Sequence, residues 1–425
     1  MSPTSPLPWS LLSDNATIGD EGQLLIGGCD TLALAAEFGT PLFVYDEDHL
    51  RSRCREAAEA FGGRAVYATK AFLCRAMARL AHEEGLGLDV ATGGELHVCL
   101  AAGVPAADLV LHGNNKSVTE LSYALDVGVG RIVVDSFDEL DRLDALVGKR
   151  PPPKVLLRIT PGIKAETHDY IATGQDDSKF GFTVSTGAAA AAVERARASP
   201  SVDLVGIHAH IGSQVFRVDS FAAAVETVGA FANPLGLPEL VVGGGLGVAY
   251  VEGEESASIS QWANVIAKAA AEAGITAELG VEPGRAITAA AATTLYTVGT
   301  VKALPGIRTY VAVDGGMSDN PRPVLYGSGY EMFLPRAVTA PRPLEVRLVG
   351  KHCESGDLLV RNGRVPQDLT VGDIVATPVT GAYGHSMGSN YNKVLRPAVV
   401  FCRHGDARLV VRRETYDDLL VTDLG

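Results

Sequence analysis

From residue 64 onward the chain repeats one pattern: a short apolar, β-branched run closed by a turn residue, then an Ala-, Leu- and Glu-rich stretch with helical spacing. The runs fall at 64–69, 87–91, 109–112, 131–134, 154–159, 203–208, 239–242 and 278–281. The first five begin 23, 22, 22 and 23 residues apart, close to the minimum for a strand, a helix and two turns. Near-continuous apolar strands alternating with helices mark a parallel sheet covered on its faces. Eight such units predict an α/β fold in the form of a (β/α)8 TIM barrel, with a doubly wound open sheet as the alternative.

Between the fifth and sixth runs the interval stretches to 49 residues, and the insertion holds HDYIATGQDDSKFG at 168–181. A long polar loop at the C-terminal end of a barrel strand reads as a lid or binding loop. After Arg285 the texture changes to strand-like runs at 293–302, 308–313, 345–349, 358–360, 374–377, 398–402 and 408–412. These predict a mostly antiparallel C-terminal β domain, and the strand-rich segment 18–45 is expected to join it. The expected division is a barrel over 46–288 and a β domain assembled from 1–45 and 289–425.

Composition narrows the function classes. Of 425 residues, 50 are acidic and 36 basic, a formal charge of −14, which argues against nucleic acid or an anionic membrane as partner. A small anion held in a local basic pocket stays open. Residues 1–15 carry no Lys or Arg and no apolar core, so no secretory signal is expected, and no stretch is apolar enough for a bilayer span. The six cysteines (Cys29, Cys54, Cys74, Cys99, Cys353 and Cys402) form no CxxC pair. They are expected to be reduced thiols, buried or half-buried, in a cytoplasmic protein.

A barrel carries its chemistry at the C-terminal strand ends. The first strand ends in YATK at 67–70; Lys70 is either a snorkelling surface residue or an amine nucleophile. The sixth ends in HAHIGSQ at 208–214. His208 and His210 would suit a metal, but no carboxylate or cysteine lies at ligand spacing nearby, so no metal site is expected and a catalytic or stacking histidine is preferred. The seventh runs into Gly243, Gly244 and Gly245, which do not fit GxGxxG; they suit backbone amides wrapped on an anion, or simply a tight turn. The eighth ends in Glu282-Pro-Gly-Arg285. Amine, flat ring, anion cradle, hydroxyl (Ser213), acid and guanidinium form a set that pyridoxal 5′-phosphate requires. An acid against the pyridine nitrogen keeps the ring a strong electron sink and favours decarboxylation, whereas an arginine there would favour a restrained proton shuffle.

The motifs YATKA (67–71), DVATGGEL (89–96), HGNNKS (112–117), HIGSQ (210–214), GGG (243–245), EPGR (282–285), RPVLY (322–326), CESGD (353–357) and GAY (381–383) occur in order. With them the chain resembles the alanine-racemase-like, fold type III pyridoxal-phosphate decarboxylases from about Leu42 to its C-terminus, and within them the branch acting on diaminopimelate.

The resemblance implies that Lys70 is the Schiff-base lysine, His210 stacks on the cofactor ring and Glu282 partners the pyridine nitrogen. Ser213, Gly243, Gly244, Gly245, Gly284 and Arg285 become phosphate-side contacts, with Tyr383 from the β domain. Cys353 becomes the proton donor, contributed from the other subunit of a homodimer. Arg285, Arg322, Tyr326 and Tyr383 become substrate contacts, with Glu354 facing the distal ammonium. The implied reaction converts meso-2,6-diaminopimelate, at its D centre, to L-lysine and CO2, the last step of bacterial lysine biosynthesis. Relatives acting on ornithine or arginine, which lack the second carboxylate, would be expected to lose the Arg322 and Tyr326 pattern. His385 departs from the aromatic residue more usual beside Tyr383. The rival readings are a decarboxylase for another amino acid, a non-catalytic regulator and a metal-dependent hydrolase.

Overall fold

The computed structural model describes residues 6–162 and 176–425. Residues 168–175 of the expected lid therefore lie outside the described residues. The chain forms two compact units. One is built from the described residues of Met1–Ser52, Val248–Glu255 and Ile287–Gly425, the other from those of Arg53–Gly247 and Ser256–Ala286.

The first unit opens with a small antiparallel sheet of β1 (Thr17–Ile18), β2 (Leu24–Ile26) and β3 (Cys29–Asp30). The strand β4 (Leu42–Asp46) then enters the unit's main sheet and is buried along its whole length.

The second unit is the barrel. Its strands are β5 (Val66–Ala68), β6 (Gly87–Val90), β7 (Leu109–Leu111), β8 (Arg131–Val134), β9 (Lys154–Thr160), a short β10 (Phe182–Thr183) beside β9, β11 (Asp203–His208), β12 (Glu239–Val241) and β13 (Glu278–Gly280). All neighbouring pairs are parallel, and a parallel bridge between Ala65 and Val281 joins the first strand to the last. The interior is packed with Val110, Val133, Leu156 and Val205, flanked by Val66 and Val241, which is why the runs read as unbroken apolar stretches. Helices begin where a hydroxyl can cap them: Ser117 and Ser258 close capping boxes with Glu120 and Gln261, and Thr92 and Ser136 accept from the backbone three residues on. At the N-terminal ends of the strands, Arg131 of β8 donates both Nε and Nη2 to Glu239 of β12 at 2.6 Å, and Arg64 pairs with Glu278. These groups line a cavity of about 350 Å³ whose charges are already matched.

The remaining strands, β14 (Ala292–Leu304), β15 (Arg308–Val313), β16 (Leu344–Val349), β17 (Leu358–Val365), β18 (Ile374–Pro378), β19 (Ala398–Arg403) and β20 (Asp406–Val411), belong to the first unit. They run in the order β17-β16-β15-β14-β4-β19-β20, with β18 also on β14. Five of the seven pairings are antiparallel; β15 with β16 and β4 with β19 are parallel. The sheet is thus mixed, and the N-terminal strand is a central member of it rather than an edge addition. Among the described residues no helix is long and apolar enough to cross a membrane. Five of the six thiols are buried, whereas Cys353 is exposed, against the expectation that all would be at least half-covered.

One buried ion pair ties the barrel's turns together. Lys116, in the loop after β7, lies 2.7 Å from Glu139 and donates to the carbonyls of Gly113 and Val133; Glu139 also accepts from the Asp135 amide. Both side chains are 1% exposed. Lys116→Met is expected to destabilise the chain by about 3–5 kcal/mol, because it strands a buried carboxylate, while Lys116→Met combined with Glu139→Leu recovers most of that loss. Urea unfolding of the two variants checks this; equal losses in both would contradict it.

Candidate active site

The barrel gathers one group of the expected residues. Lys70 sits in the 3₁₀ turn Thr69–Ala71 directly after β5. That turn is pinned by the Thr69 hydroxyl, which donates to the Asp89 carbonyl (2.7 Å), and by the Tyr67 hydroxyl on the Phe72 carbonyl (2.7 Å). Gly284 packs against the same turn: a methyl there would come within 3.0 Å of Ala68 Cβ. Lys70 itself is exposed, and its charge acts on Asp89 and His210.

His210 follows β11, and its Nδ1 accepts the Gly244 amide at 3.2 Å, which leaves the proton of a neutral ring on Nε2. Burial, with the charges of Lys70 and Arg158, holds its imidazole well below the ordinary range, so the ring is neutral. The glycine run is packed too tightly for any side chain. A methyl at Gly243 would lie 2.6 Å from His210 Nδ1, one at Gly244 would strike the Glu282 carbonyl and one at Gly245 the Gly212 carbonyl. Gly243 and Gly245 also take φ of +71° and +109°, where a side chain is strained. Beside them the Arg285 guanidinium, 6% exposed, donates to Ser213 Oγ at 2.8 Å. Bare backbone, a hydroxyl and a guanidinium together make a cradle for an oxyanion.

Glu282, after β13, is the electrostatic centre of this end of the barrel. Its Oε2 accepts from His208 Nε2 at 3.0 Å, and its Oε1 lies 3.1 Å from His112 Nε2. Burial alone would raise its carboxyl; the two histidines outweigh that and hold it well below the usual carboxylate range. The absence of a nearby carboxylate in the sequence therefore does not carry over to the fold, which brings Glu282 to His208. The HxH pair also divides its duties: His208 faces Glu282 while His210 takes the Gly244 amide. His112, Asp89 and Arg158 are buried here without having been singled out individually; their signal was present only as motif membership in HGNNKS and DVATGGEL, while Arg158 carried none.

The β-sheet unit holds a second group. Arg322 opens the short helix Arg322–Tyr326 and is 4% exposed. Its Nε donates to the Tyr330 hydroxyl (2.8 Å) and its Nη2 to Ser328 Oγ (3.1 Å). The guanidinium carbon lies 4.8 Å from the ring centroid of Tyr250, 5.8 Å from that of Tyr326 and 5.9 Å from that of Tyr383. Among the described residues no carboxylate pairs with it, so it is a buried cation lacking a counter-ion. Tyr383 reaches this cluster with φ of +61°, a strained turn for a tyrosine. His385, the departure noted beside it, packs edge-on against Phe43 at 5.9 Å, and burial pulls its imidazole down to about 4.

Cys353 and Glu354 lie on another loop of that unit, both exposed. The loop's ends are fixed rather than its tip. Asp357 Oδ2 accepts the His352 amide (2.8 Å) and Oδ1 the Met317 amide (2.7 Å), while the His352 ring sits between Ser318 Oγ (2.9 Å) and Asn392 Oδ1 (3.1 Å).

The chain matches the family described as "Pyridoxal-dependent decarboxylase, pyridoxal binding domain" over residues 47–289. It is 49% identical over 428 residues, 96% of each chain, to a protein from Mycobacterium tuberculosis named diaminopimelate decarboxylase. It is 45% identical over 424 residues, 95% of each chain, to one of that name from Bacillus subtilis. Among solved structures it resembles the M. jannaschii diaminopimelate decarboxylase in co-complex with L-lysine, with a TM-score of 0.89 and 31% identity over 97% of this chain and 98% of the other. The chain belongs to the pyridoxal-dependent decarboxylase family.

Proposed function

We infer that this chain decarboxylates meso-2,6-diaminopimelate at its D-configured centre, giving L-lysine and CO2, with pyridoxal 5′-phosphate as cofactor, and so closes bacterial lysine biosynthesis. The observation that carries this reading is the barrel mouth itself, where an amine, a neutral imidazole, a side-chain-free anion cradle and a buried ionised carboxylate stand on successive strand ends. The substrate is supported by the names of the relatives, by the L-lysine held in a solved neighbour and by the buried Arg322, which pairs with no carboxylate among the described residues.

The residues fit the cofactor. Gly243, Gly244 and Gly245 leave room only for backbone, which suits a phosphate approaching amides, and Ser213 and Arg285 stand beside them. Glu282 is ionised in a site where only a hydrogen-bonded or paired carboxylate can remain so. When bound, pyridoxal phosphate supplies an aldehyde that condenses with amines and a protonated ring that accepts the electron pair left by departing CO2.

The chain's own residues then divide the work. Lys70 would hold the cofactor through its Nζ. The bond from Gly244 fixes the His210 ring in one orientation, in which its face would be offered to the cofactor ring. Ser213, Gly243, Gly244, Gly245, Gly284 and Arg285 hold the phosphate, with Tyr383, and Glu282 keeps the ring nitrogen protonated. Arg322, Arg285, Tyr326 and Tyr383 are assigned to the distal carboxylate, which would supply a counter-charge that Arg322 does not find among the described residues. Cys353 delivers a proton from Sγ to the carbon that has lost CO2, and Glu354 faces the distal ammonium. The exposed tip of their anchored loop suits work in the site of a second copy, which makes the active unit a homodimer with shared sites. The working compartment is the cytoplasm, in keeping with six thiols that form no disulfide.

Lys70→Ala is expected to abolish the visible absorbance that pyridoxal phosphate gives the wild-type chain. Cys353→Ala should keep that absorbance while turnover falls by about 100-fold or more, the usual worth of a positioned proton donor. Native turnover in Cys353→Ala would remove the donor role. Mixing the two inactive variants should restore about a quarter of wild-type activity, because half of randomly re-paired dimers then hold one intact site. No recovery, with subunit exchange verified by mass, would place Cys353 in the site of its own chain.

A further inference from the structure

The family resemblance assigns Glu282 but leaves unexplained the two histidines that grip it. His112 leaves the end of β7, its amide held by the Val90 carbonyl at 2.8 Å, and His208 is the last residue of β11. Glu282 enters between them with its own amide on the Gly243 carbonyl at 2.9 Å. His208 Nε2 hydrogen-bonds Oε2, His112 Nε2 stands at ion-pair distance from Oε1 without hydrogen-bond alignment, and the rings stand edge-to-face with centroids 5.0 Å apart. His112, His208 and Glu282 are 7%, 1% and 8% exposed, so water cannot substitute for either contact. We propose that His112 and His208 are positioning residues that clamp both oxygens of Glu282, keep it ionised and aim it at the ring nitrogen of pyridoxal phosphate.

The two contacts are not equivalent. Among the described residues His208 Nδ1 is buried without a hydrogen-bond partner, which a protonated ring could not tolerate because it would strand a donor. His208 is therefore neutral, with its proton on Nε2 directed to Glu282, and burial also keeps it below its ordinary range. His112 faces two acids, Glu282 at 3.1 Å and Asp89 at 3.8 Å. Burial pulls its imidazole down, but the two carboxylates outweigh this and leave it raised, so of the two imidazoles it is the one that favours the protonated form. Arg158 bears on both imidazoles, and Lys70 and Glu95 bear on Asp89, whose carboxyl burial pushes up to about 6. Each carboxylate oxygen has two lone pairs, so a carboxylate held by two imidazoles still has room to accept a ring N–H. A fixed, charge-balanced acceptor does not need to reorganise during the reaction.

This inference rests on Glu282 being the ring-nitrogen partner, and the test separates the two ideas. The full chain is stripped of cofactor, titrated with pyridoxal phosphate and assayed for turnover across pH as wild type, Glu282→Gln, His112→Gln, His208→Ala and His208→Gln. For His112→Gln and His208→Ala the clamp predicts a kcat about 10–100-fold lower, the worth of a buried ion pair or of a hydrogen bond to a charged group, with KM little changed. Glu282 is active when ionised, and its carboxyl is held low by His112. In His112→Gln that support is gone, the carboxyl rises, and the acidic limb of the kcat profile moves to higher pH by about one unit or more. His208→Gln, which keeps an N–H, should recover much of the loss of His208→Ala.

An acidic limb that stays in place in His112→Gln would overturn the clamp. If Glu282→Gln itself left cofactor affinity and kcat unchanged, the assignment of Glu282 would fall instead. Should the variants fold poorly, ¹⁵N-histidine spectra of the wild-type chain decide. His208 should be neutral with its proton on Nε2 and His112 mostly protonated at pH 6.5; a neutral His112 at that pH would overturn the proposal.

Discussion

A carboxylate that stays ionised where water is excluded is the constraint around which the barrel mouth is organised. Burying a lone Glu282 would neutralise it, so its charge has to be matched by groups brought in from other strands. His112 comes from the third strand and His208 from the sixth, while Asp89, Arg158 and Lys70 adjust the balance from the second, fifth and first. Only a closed parallel barrel points so many separate strand ends at one spot. The same closeness explains Gly243, Gly244 and Gly245: the segment that carries the anion cradle also packs against Glu282 and His210, and no side chain fits between.

The β-sheet unit meets a mirror-image problem. Arg322 is a buried cation surrounded by tyrosine rings and two hydroxyls, which hold its position without cancelling its charge. Under the proposed function, such a site selects for an incoming carboxylate, because an analogue lacking that group brings no counter-charge to the guanidinium. Cys353 is handled differently again. Asp357 and His352 fix the base of its loop and leave the thiol at the surface, where the proposed role in a second copy's site requires it.

Much of the barrel was legible in the sequence because its strands are buried on both faces and read as unbroken apolar runs; 131–134 and 203–208 match the strands residue for residue. Lys70, His210 and Glu282 could be placed at the strand ends because a barrel's order of strands fixes where such residues lie. Three things were hidden. The clamp depends on His112, His208 and Glu282 meeting in space across 74 and 170 residues of chain, and spacing arguments do not reach that far. The parallel pairing of β4 with β19 depends on sheet order, which a period-2 pattern does not encode. Lys116 looked like part of a functional motif, yet its ammonium is spent on Glu139 and two carbonyls inside the fold.

The most direct test is to supply the pyridoxal-phosphate-loaded chain separately with meso-diaminopimelate, L-lysine, L-ornithine and L-arginine. CO2 release and the chirality of the amine product are then measured. The site described here predicts L-lysine and CO2 in equal amounts from meso-diaminopimelate, with the other three turned over at least about 100-fold less efficiently because they lack the distal carboxylate. Comparable kcat/KM on ornithine or arginine, or D-lysine as the product, would contradict it.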